Sequence, residues 1–374
     1  MKRILVGFIM SGKAGGIDRY LLNFLESVQS QDAPEKVSID FLTDEMHEEL
    51  KTYLAQRNCE LYAIAGLKRP LKQFRQVCAI LKNKKYDMVY LNVSTAIDCV
   101  AAFAAKWMGV PKRIIHSHSS GNDCESSLQR AVYDAVHKVC RLFFYKAGTQ
   151  FYGCSTKAGE WIFPKRIVHS NRFQVIYNAV DRSRFQYNPK IRKEVRSELN
   201  IENENLFVIG HLGNFCYAKN QPFLIEVFEQ IHRQVKGAVL LLGGTGVELK
   251  EVQVLVKKKG LEGAVHFLGW RSDTDRLYQA MDFFLLPSRF EGLPVVGVEA
   301  QCTKLPCVFS DSVTKETKIQ DHSWFLPLSD GPRKWADFIL QHRNYSREQV
   351  RLTEEAKKYD LERQKEQACR IIYR

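Results

Sequence analysis

The chain predicts an α/β architecture of two doubly wound domains, and three observations carry that expectation. Short, nearly all-apolar β-branched runs alternate with helix-period segments from end to end. Runs of that kind suit parallel strands covered by helices on both faces. At 374 residues the chain also exceeds the span of one compact core, so two domains are expected. The composition, 45% apolar, 11% aromatic and 26% charged, is that of a globular protein and excludes disordered, collagenous and low-complexity classes.

Taken in order, the opening Met1-Lys2-Arg3 and the apolar residues 4–10 mimic a signal peptide. The run stops at Ser11-Gly12-Lys13 without a small-residue cleavage site, so a first β-strand of a cytosolic protein is expected. Further strands are expected at 37–43, 87–92, 113–117, 150–154 and 174–177, with helices at 17–30, 95–108 and 128–145. The second half repeats the theme, with strands at 206–212, 238–242, 264–268, 282–287 and 306–309. The polar stretch 181–205, holding a helix at 190–199, marks the boundary. It divides an N-terminal domain, 1–183, from a C-terminal domain, 184–350, and leaves a helix at 351–374 to pack back towards the N-terminal domain. No apolar run approaches the roughly 20 residues that a membrane span needs. The ten cysteines include no CxxC pair and fall mostly in apolar segments, which predicts small buried hydrophobes and no structural zinc.

In doubly wound sheets ligands bind beyond the carboxyl ends of the strands, so the loops after strands are the places to search. The first, Ser11 to Gly16, is neither a dinucleotide fingerprint nor a P-loop. It offers backbone N–H groups and close approach at Gly15 and Gly16, and a plain tight turn is the alternative. In His116-Ser117-His118, alternate residues of a strand share a face. With no third ligand nearby, a hydrogen bond from His118 to a substrate is preferred to a metal, against a solvated strand end. The loop 213–221 brings Gly213 and then Lys219 ahead of a helix capped at Asn220, a place for a phosphate or for a solvated lysine. The Gly243-Gly244-Thr245-Gly246 loop is a weaker version of the same signal.

The richest loop is Pro287 to Glu299. Pro294 suits the first position of a helix, whose N–H groups lie exposed at the sheet edge behind Gly292 and Leu293. Glu299 stands in an otherwise apolar helix, where a buried carboxylate needs donors: a pair of ligand hydroxyls, or an internal Lys or Arg. Glu291 and Glu299 share one loop–helix segment, unlike the carboxyl pair of a glycosidase.

This segment resembles the retaining GT-B glycosyltransferases of the large family four, whose mark is two glutamates separated by seven residues, here Glu291 and Glu299. The resemblance covers nearly the whole chain. It takes in Gly15-Gly16, Asn178-Ala179-Val180-Asp181, Lys219-Asn220-Gln221 and Phe267-Leu268-Gly269, and is nearest to bacterial enzymes of capsular or exopolysaccharide synthesis. It implies two Rossmann-like domains facing a cleft. It also implies transfer, with retention, of a hexose from a nucleotide sugar, UDP being the expected base, to a glycan acceptor on a polyprenyl diphosphate lipid. Glu291 with the backbone of Gly292, Leu293 and Pro294 would hold the donor sugar and diphosphate, Glu299 the ribose, and Lys219 the diphosphate. Gly16 would lie against the phosphates and His118 beside the hexose. The family commonly has an arginine just after the glycine of the first C-domain strand; here Asn214 follows Gly213, and Arg289 is the nearest replacement cation. No cofactor is implied, the nucleotide sugar being a co-substrate.

Two rivals are a nucleotide-sugar-binding protein without catalysis and a metal-dependent GT-A transferase using Asp273 and Asp275. The second is set aside because Ser272-Asp273 reads as the cap of a helix over 274–281, where acidic residues belong. The net charge is +13, with 26 basic against 17 acidic side chains in 1–183 and 29 against 25 in 184–374. Two basic segments of helical period, 68–85 and 128–146, read by themselves as plain solvated faces; the resemblance to the family is what implies peripheral contact of the N-terminal domain with the anionic inner face of the cell membrane. No nucleic-acid-binding module is present in the sequence.

Overall fold

The computed structural model describes residues 2–9, 15–29, 36–201, 203 and 205–373. The chain forms two compact units: Met1–Ala179 together with Leu361–Arg374, and Val180–Asp360. The sequence boundaries were expected after 183 and 350. The structural divisions fall at Ala179/Val180 and at Asp360/Leu361.

The first unit holds a seven-stranded parallel sheet built from β1 (Lys2–Gly7), β2 (Val37–Thr43), β3 (Leu61–Ala63), β4 (Met88–Val93), β5 (Lys112–Ser117), β6 (Gln150–Gly153) and β7 (Phe173–Val175), in the order β3-β2-β1-β4-β5-β6-β7. β1 lies between β2 and β4, Ile4 facing Ile39 on one side and Met88 on the other. Alternate residues go to opposite faces. Leu5, Val89, Leu91 and Ile115 enter one core, and Ile4, Val6, Tyr90 and Ile114 the other. Burying side chains of this size contributes roughly 1.5–3 kcal/mol each. The C-terminal helix Leu361–Tyr373 belongs to this unit. It packs on the helix Gly16–Gln29, with Ala368, Ile371 and Ile372 in the core and Asn23 donating to Gln364 at 3.3 Å.

The second unit holds a six-stranded parallel sheet: β8 (Val208–Leu212), β9 (Val239–Gly243), β10 (Val265–Gly269), β11 (Phe283–Leu286), β12 (Cys307–Ser310) and β13 (Ser323–Leu326), in the order β10-β9-β8-β11-β12-β13. The order of each sheet reverses beside its first strand, between β1 and β4 and between β8 and β11. These switch points are where an open α/β sheet leaves a crevice at its carboxyl edge. Two short strands, β3 and β13, escaped the sequence reading. They are edge strands most of whose residues are only partly buried, so neither shows a continuous apolar run.

Three local expectations need correction. The helix expected over 95–108 opens as a 3-10 turn, Ala96–Cys99, before the α-helix Val100–Trp107. Pro294 occupies the cap of the helix Val295–Cys302 with extended backbone, not its first helical position. Asp273 and Asn220 stand at helix caps, yet neither side chain makes a capping bond. Asp273 is drawn instead to Arg271, and Asn220 to the carbonyl of Pro287. Among the described residues, no helix is long and apolar enough to cross a membrane.

Candidate functional site

At the switch point of the second sheet, the loops after β8 and β11 are laced together. The Arg289 N–H donates to the carbonyl of Ala218 at 2.7 Å, its guanidinium to that of Tyr217 at 2.5 Å, and the Asn220 amide to that of Pro287 at 3.1 Å. This lacing brings the Lys219 ammonium to Oε1 of Glu291 at 2.6 Å, and the Ser288 hydroxyl donates to the same oxygen at 2.7 Å. Both charged side chains are largely buried. Withdrawing two charges from water costs several kcal/mol per ion, so a pair in this position is weak evidence for stability and better evidence for a polar task.

The loop that carries Lys219 is fixed from beneath. His211 of β8 is fully buried and donates from Nδ1 to the Leu285 carbonyl of β11 at 2.8 Å. Its Nε2 then accepts from the Gln221 amide at 3.3 Å, which also donates to the carbonyl of Asn214 at 2.8 Å. Burial holds the His211 pKa down to about 4, so the ring stays neutral beside Lys219. Gly244, at φ 137°, packs its backbone where a Cβ would lie 2.0 Å from the Gly213 carbonyl oxygen. The glycine-rich loop after β9 is thus a buttress for the loop after β8.

Glu299 is buried in the helix Val295–Cys302, and the Tyr278 hydroxyl lies 3.2 Å from its Oε2. The first turn of that helix directs N–H groups towards the carboxyl edge of the sheet, behind the buried Gly292, Leu293 and Pro294. Arg289 is on the same loop, but its guanidinium lies over the Tyr217 ring, 4.3 Å from the centroid. Asp273 pairs with Arg271 at 2.6 Å and Asp275 with Arg184 at 2.5 Å, so each carboxylate of the DxD is engaged by an arginine. Among the described residues, no group of three or more His, Cys, Asp or Glu could hold a metal ion.

The switch point of the first sheet is neutral. The rings of His116 and His118 lie 4.0 Å apart. The Asn92 amide nitrogen donates to the Gly7 carbonyl at 2.9 Å, leaving its oxygen to accept from His118 Nε2 at 2.9 Å. That fixes the tautomer, with the lone pair on Nδ1, which has no hydrogen-bond partner among the described residues. Tyr20, Tyr90 and His116 Nδ1 form a buried chain with two 2.7 Å bonds. Burial lowers the His118 pKa to about 3 and that of His116 well below its ordinary value. Gly16 opens the helix that carries Tyr20; a Cβ there would lie 3.6 Å from the Asn178 amide nitrogen. Gly15 precedes it at φ 137°. Ser11 to Ala14 lie outside the described residues.

Sequence reasoning missed Ser288, Tyr278, His211, Asn92, Tyr20 and Tyr90, and gave Gln221 no role. For two of them a signal was present: Asn92 and His211 are polar residues inside buried strands, where each must find a partner.

Residues 206–343 match the family described as Glycosyl transferases group 1. The chain is 29% identical over 351 residues to a putative glycosyltransferase, EpsF, of Bacillus subtilis (strain 168), covering 91% of this chain and 87% of that protein. It is 26% identical over 274 residues to the UDP-Gal:alpha-D-GlcNAc-diphosphoundecaprenol alpha-1,3-galactosyltransferase of Escherichia coli, covering 72% and 68%. In structure it is similar to Anabaena Alr3699/HepE, solved with UDP and glucose, with a TM-score of 0.73 at 19% identity and coverage of 99% and 98%. The two parallel-sheet units are those of the GT-B fold.

Proposed function

We propose that this chain, a glycosyltransferase with a group 1 domain, moves a hexose from a UDP-sugar to a lipid-linked glycan with retention at the anomeric carbon and without a metal. The observation that carries the reading is the Lys219–Glu291–Ser288 cluster at the switch point of the second sheet, beside the helix that holds Glu299. UDP is favoured by the UDP-bound Anabaena structure, and a polyprenyl-linked acceptor by the name of the Escherichia coli relative.

In this reading Glu299 accepts from the ribose hydroxyls, a role for a buried carboxylate otherwise costly to keep. Lys219 spends one N–H on Glu291 and turns others to the diphosphate, helped by the N–H groups of the helix start. Gly292, Leu293 and Pro294 let the donor approach the backbone; in the first unit Gly15 and Gly16 open the helix Gly16–Gln29 without a side chain at its start. The acceptor oxygen bonds to the anomeric carbon on the face from which the diphosphate leaves. The carbon–oxygen bond to phosphate breaks, and the acceptor proton passes to the departing diphosphate. Stabilising that developing charge is the main catalytic contribution. His118 offers Nδ1 as an acceptor for a sugar hydroxyl, and Arg289 holds the loop of Lys219 in shape. Asp273 and Asp275, each ion-paired with an arginine, do not serve as metal ligands, and no cofactor takes part.

The enzyme works at the inner face of the cell membrane, where a lipid-linked acceptor resides, held there through the basic N-terminal unit. A thermal-shift panel of UDP, GDP, ADP and dTDP sugars tests the donor, with stabilisation expected from a UDP-sugar. Anomeric coupling in the product NMR spectrum tests retention, inversion being the contrary result. A rate abolished by EDTA and restored by manganese would overturn metal independence.

A further inference from the structure

The helix Ser127–Arg141 is turned inside out. Its polar positions Arg130, Asp134, His137 and Arg141 face the protein, while Gln129 and Lys138 are exposed. His137 is buried, accepts the Ala96 N–H at 3.1 Å, donates to the Trp161 carbonyl at 3.0 Å and stacks on the Trp161 ring at 3.9 Å. Arg130 reaches the Cys124 carbonyl, and Arg141 those of Glu160 and Phe163. The apolar positions face outward. Leu128 is 74% exposed, Val132 54%, Val136 42%, Val139 58%, and Leu142, just past the helix end, 73%. Their spacing of four, four, three and three residues sets them in one stripe. Lys106 donates to the Lys146 carbonyl at 3.0 Å, which brings the end of the helix Val100–Trp107 alongside, with Trp107 79% exposed.

The other basic helix, Pro70–Asn83, is built the usual way round: Val77 and Leu81 are buried, and Phe74 and Cys78 pack against the core. Its cations therefore stand over no apolar face beyond Leu71.

We propose that the stripe Leu128–Leu142 seats on an anionic lipid surface, its aliphatic side chains entering the headgroup–acyl boundary with Trp107 and the lysines 106, 138 and 146 at headgroup level. The proposal rests on the membrane reading above and narrows it to one of two basic helices. Charge favours a bilayer over a second copy of the chain. Aliphatic side chains rimmed by lysines match acyl chains beneath anionic headgroups, whereas a two-fold contact through the same stripe would set the lysines against themselves. Exposed apolar patches of this kind mark interaction surfaces.

The test is sedimentation of the full chain with vesicles of phosphatidylcholine alone or mixed with phosphatidylglycerol. Wild type is expected to bind the mixed vesicles. The triple variant Val132→Ser, Val136→Ser, Val139→Ser is expected to bind them about tenfold or more weakly, because apolar contact drives insertion. Its turnover of donor with a soluble acceptor should match wild type, showing that it is folded. Lys72→Glu with Arg75→Glu should lower binding by a few-fold at most. If the triple variant binds like wild type while the Lys72/Arg75 variant does not, the assignment to this helix is wrong and the membrane reading stands. Wild type that ignores both kinds of vesicle overturns both. A wild-type dimer that the triple variant converts to monomer replaces the lipid surface with a second copy.

Discussion

The two sheets reverse strand order at equivalent places and furnish them with opposite chemistry. Between β8 and β11 the structure assembles charge: Lys219 against Glu291, with Glu299 buried in the next helix. Between β1 and β4 it assembles neutral hydrogen-bonding groups: the Asn92 amide, and Tyr20, Tyr90, His116 and His118, whose ionisation burial suppresses. Topology therefore determines where each doubly wound sheet can hold a ligand, and the side chains on the following loops determine the chemistry it offers. A departing diphosphate calls for a cation. A sugar hydroxyl is met by neutral acceptors, which keep their protonation state across the working pH range.

The largest expected effect is on the charged side. Lys219→Ala should lower kcat by about 10²–10³-fold, the range for losing one preorganised donor to a developing negative charge. Glu291→Gln should lower turnover more than nucleotide binding, since its contacts strengthen as the glycosidic bond breaks. Steady-state rates beside nucleotide titration separate the two effects. Equal loss in both would make Glu291 a binding residue and blur the contrast between the switch points.

A smaller effect concerns pH and stability. The folded-state pKa of His211 (about 4) and that of His116 lie below the unfolded value near 6.5, so the unfolded chain binds more protons as pH falls. Stability should be fully present above about pH 6.5 and decline below it, by up to about 2 kcal/mol per buried histidine at pH 5. Urea unfolding at pH 7 and pH 5 checks the sign; greater stability at pH 5 would mean that these rings are protonated in the fold.

The smallest effect belongs to the neutral side. Tyr20→Phe removes one end of the buried hydroxyl chain and should cost about 1 kcal/mol of stability while leaving nucleotide affinity unchanged. A fall in nucleotide affinity would put the nucleotide against the first sheet and break the comparison.

Much of this was legible in the sequence, for identifiable reasons. Buried parallel strands such as Met88–Val93 and Phe283–Leu286 announce themselves because both faces are covered and nearly every position must be apolar. Glu291, Glu299 and Lys219 stood out as charged residues on loops or helices at strand ends. The partners that position them did not. Ser288 and Tyr278 are ordinary residue types whose importance arises only when β8, β11 and their following helices come together. Nor could periodicity say which way an amphipathic helix turns. Residues 68–85 and 128–146 read alike, and only tertiary packing shows one burying its apolar stripe and the other exposing it.

The central claim, that the second unit holds the nucleoside diphosphate with Glu299 on its ribose, is tested most directly by calorimetry of free UDP with wild type and Glu299→Gln. The expected result is a loss of about 1.5–3 kcal/mol in binding, the range for a hydrogen bond to a charged group, with an unchanged unfolding midpoint. If the folded variant binds UDP as tightly as wild type, the ribose assignment is wrong, and Glu299 is a structural carboxylate held by Tyr278 within the domain.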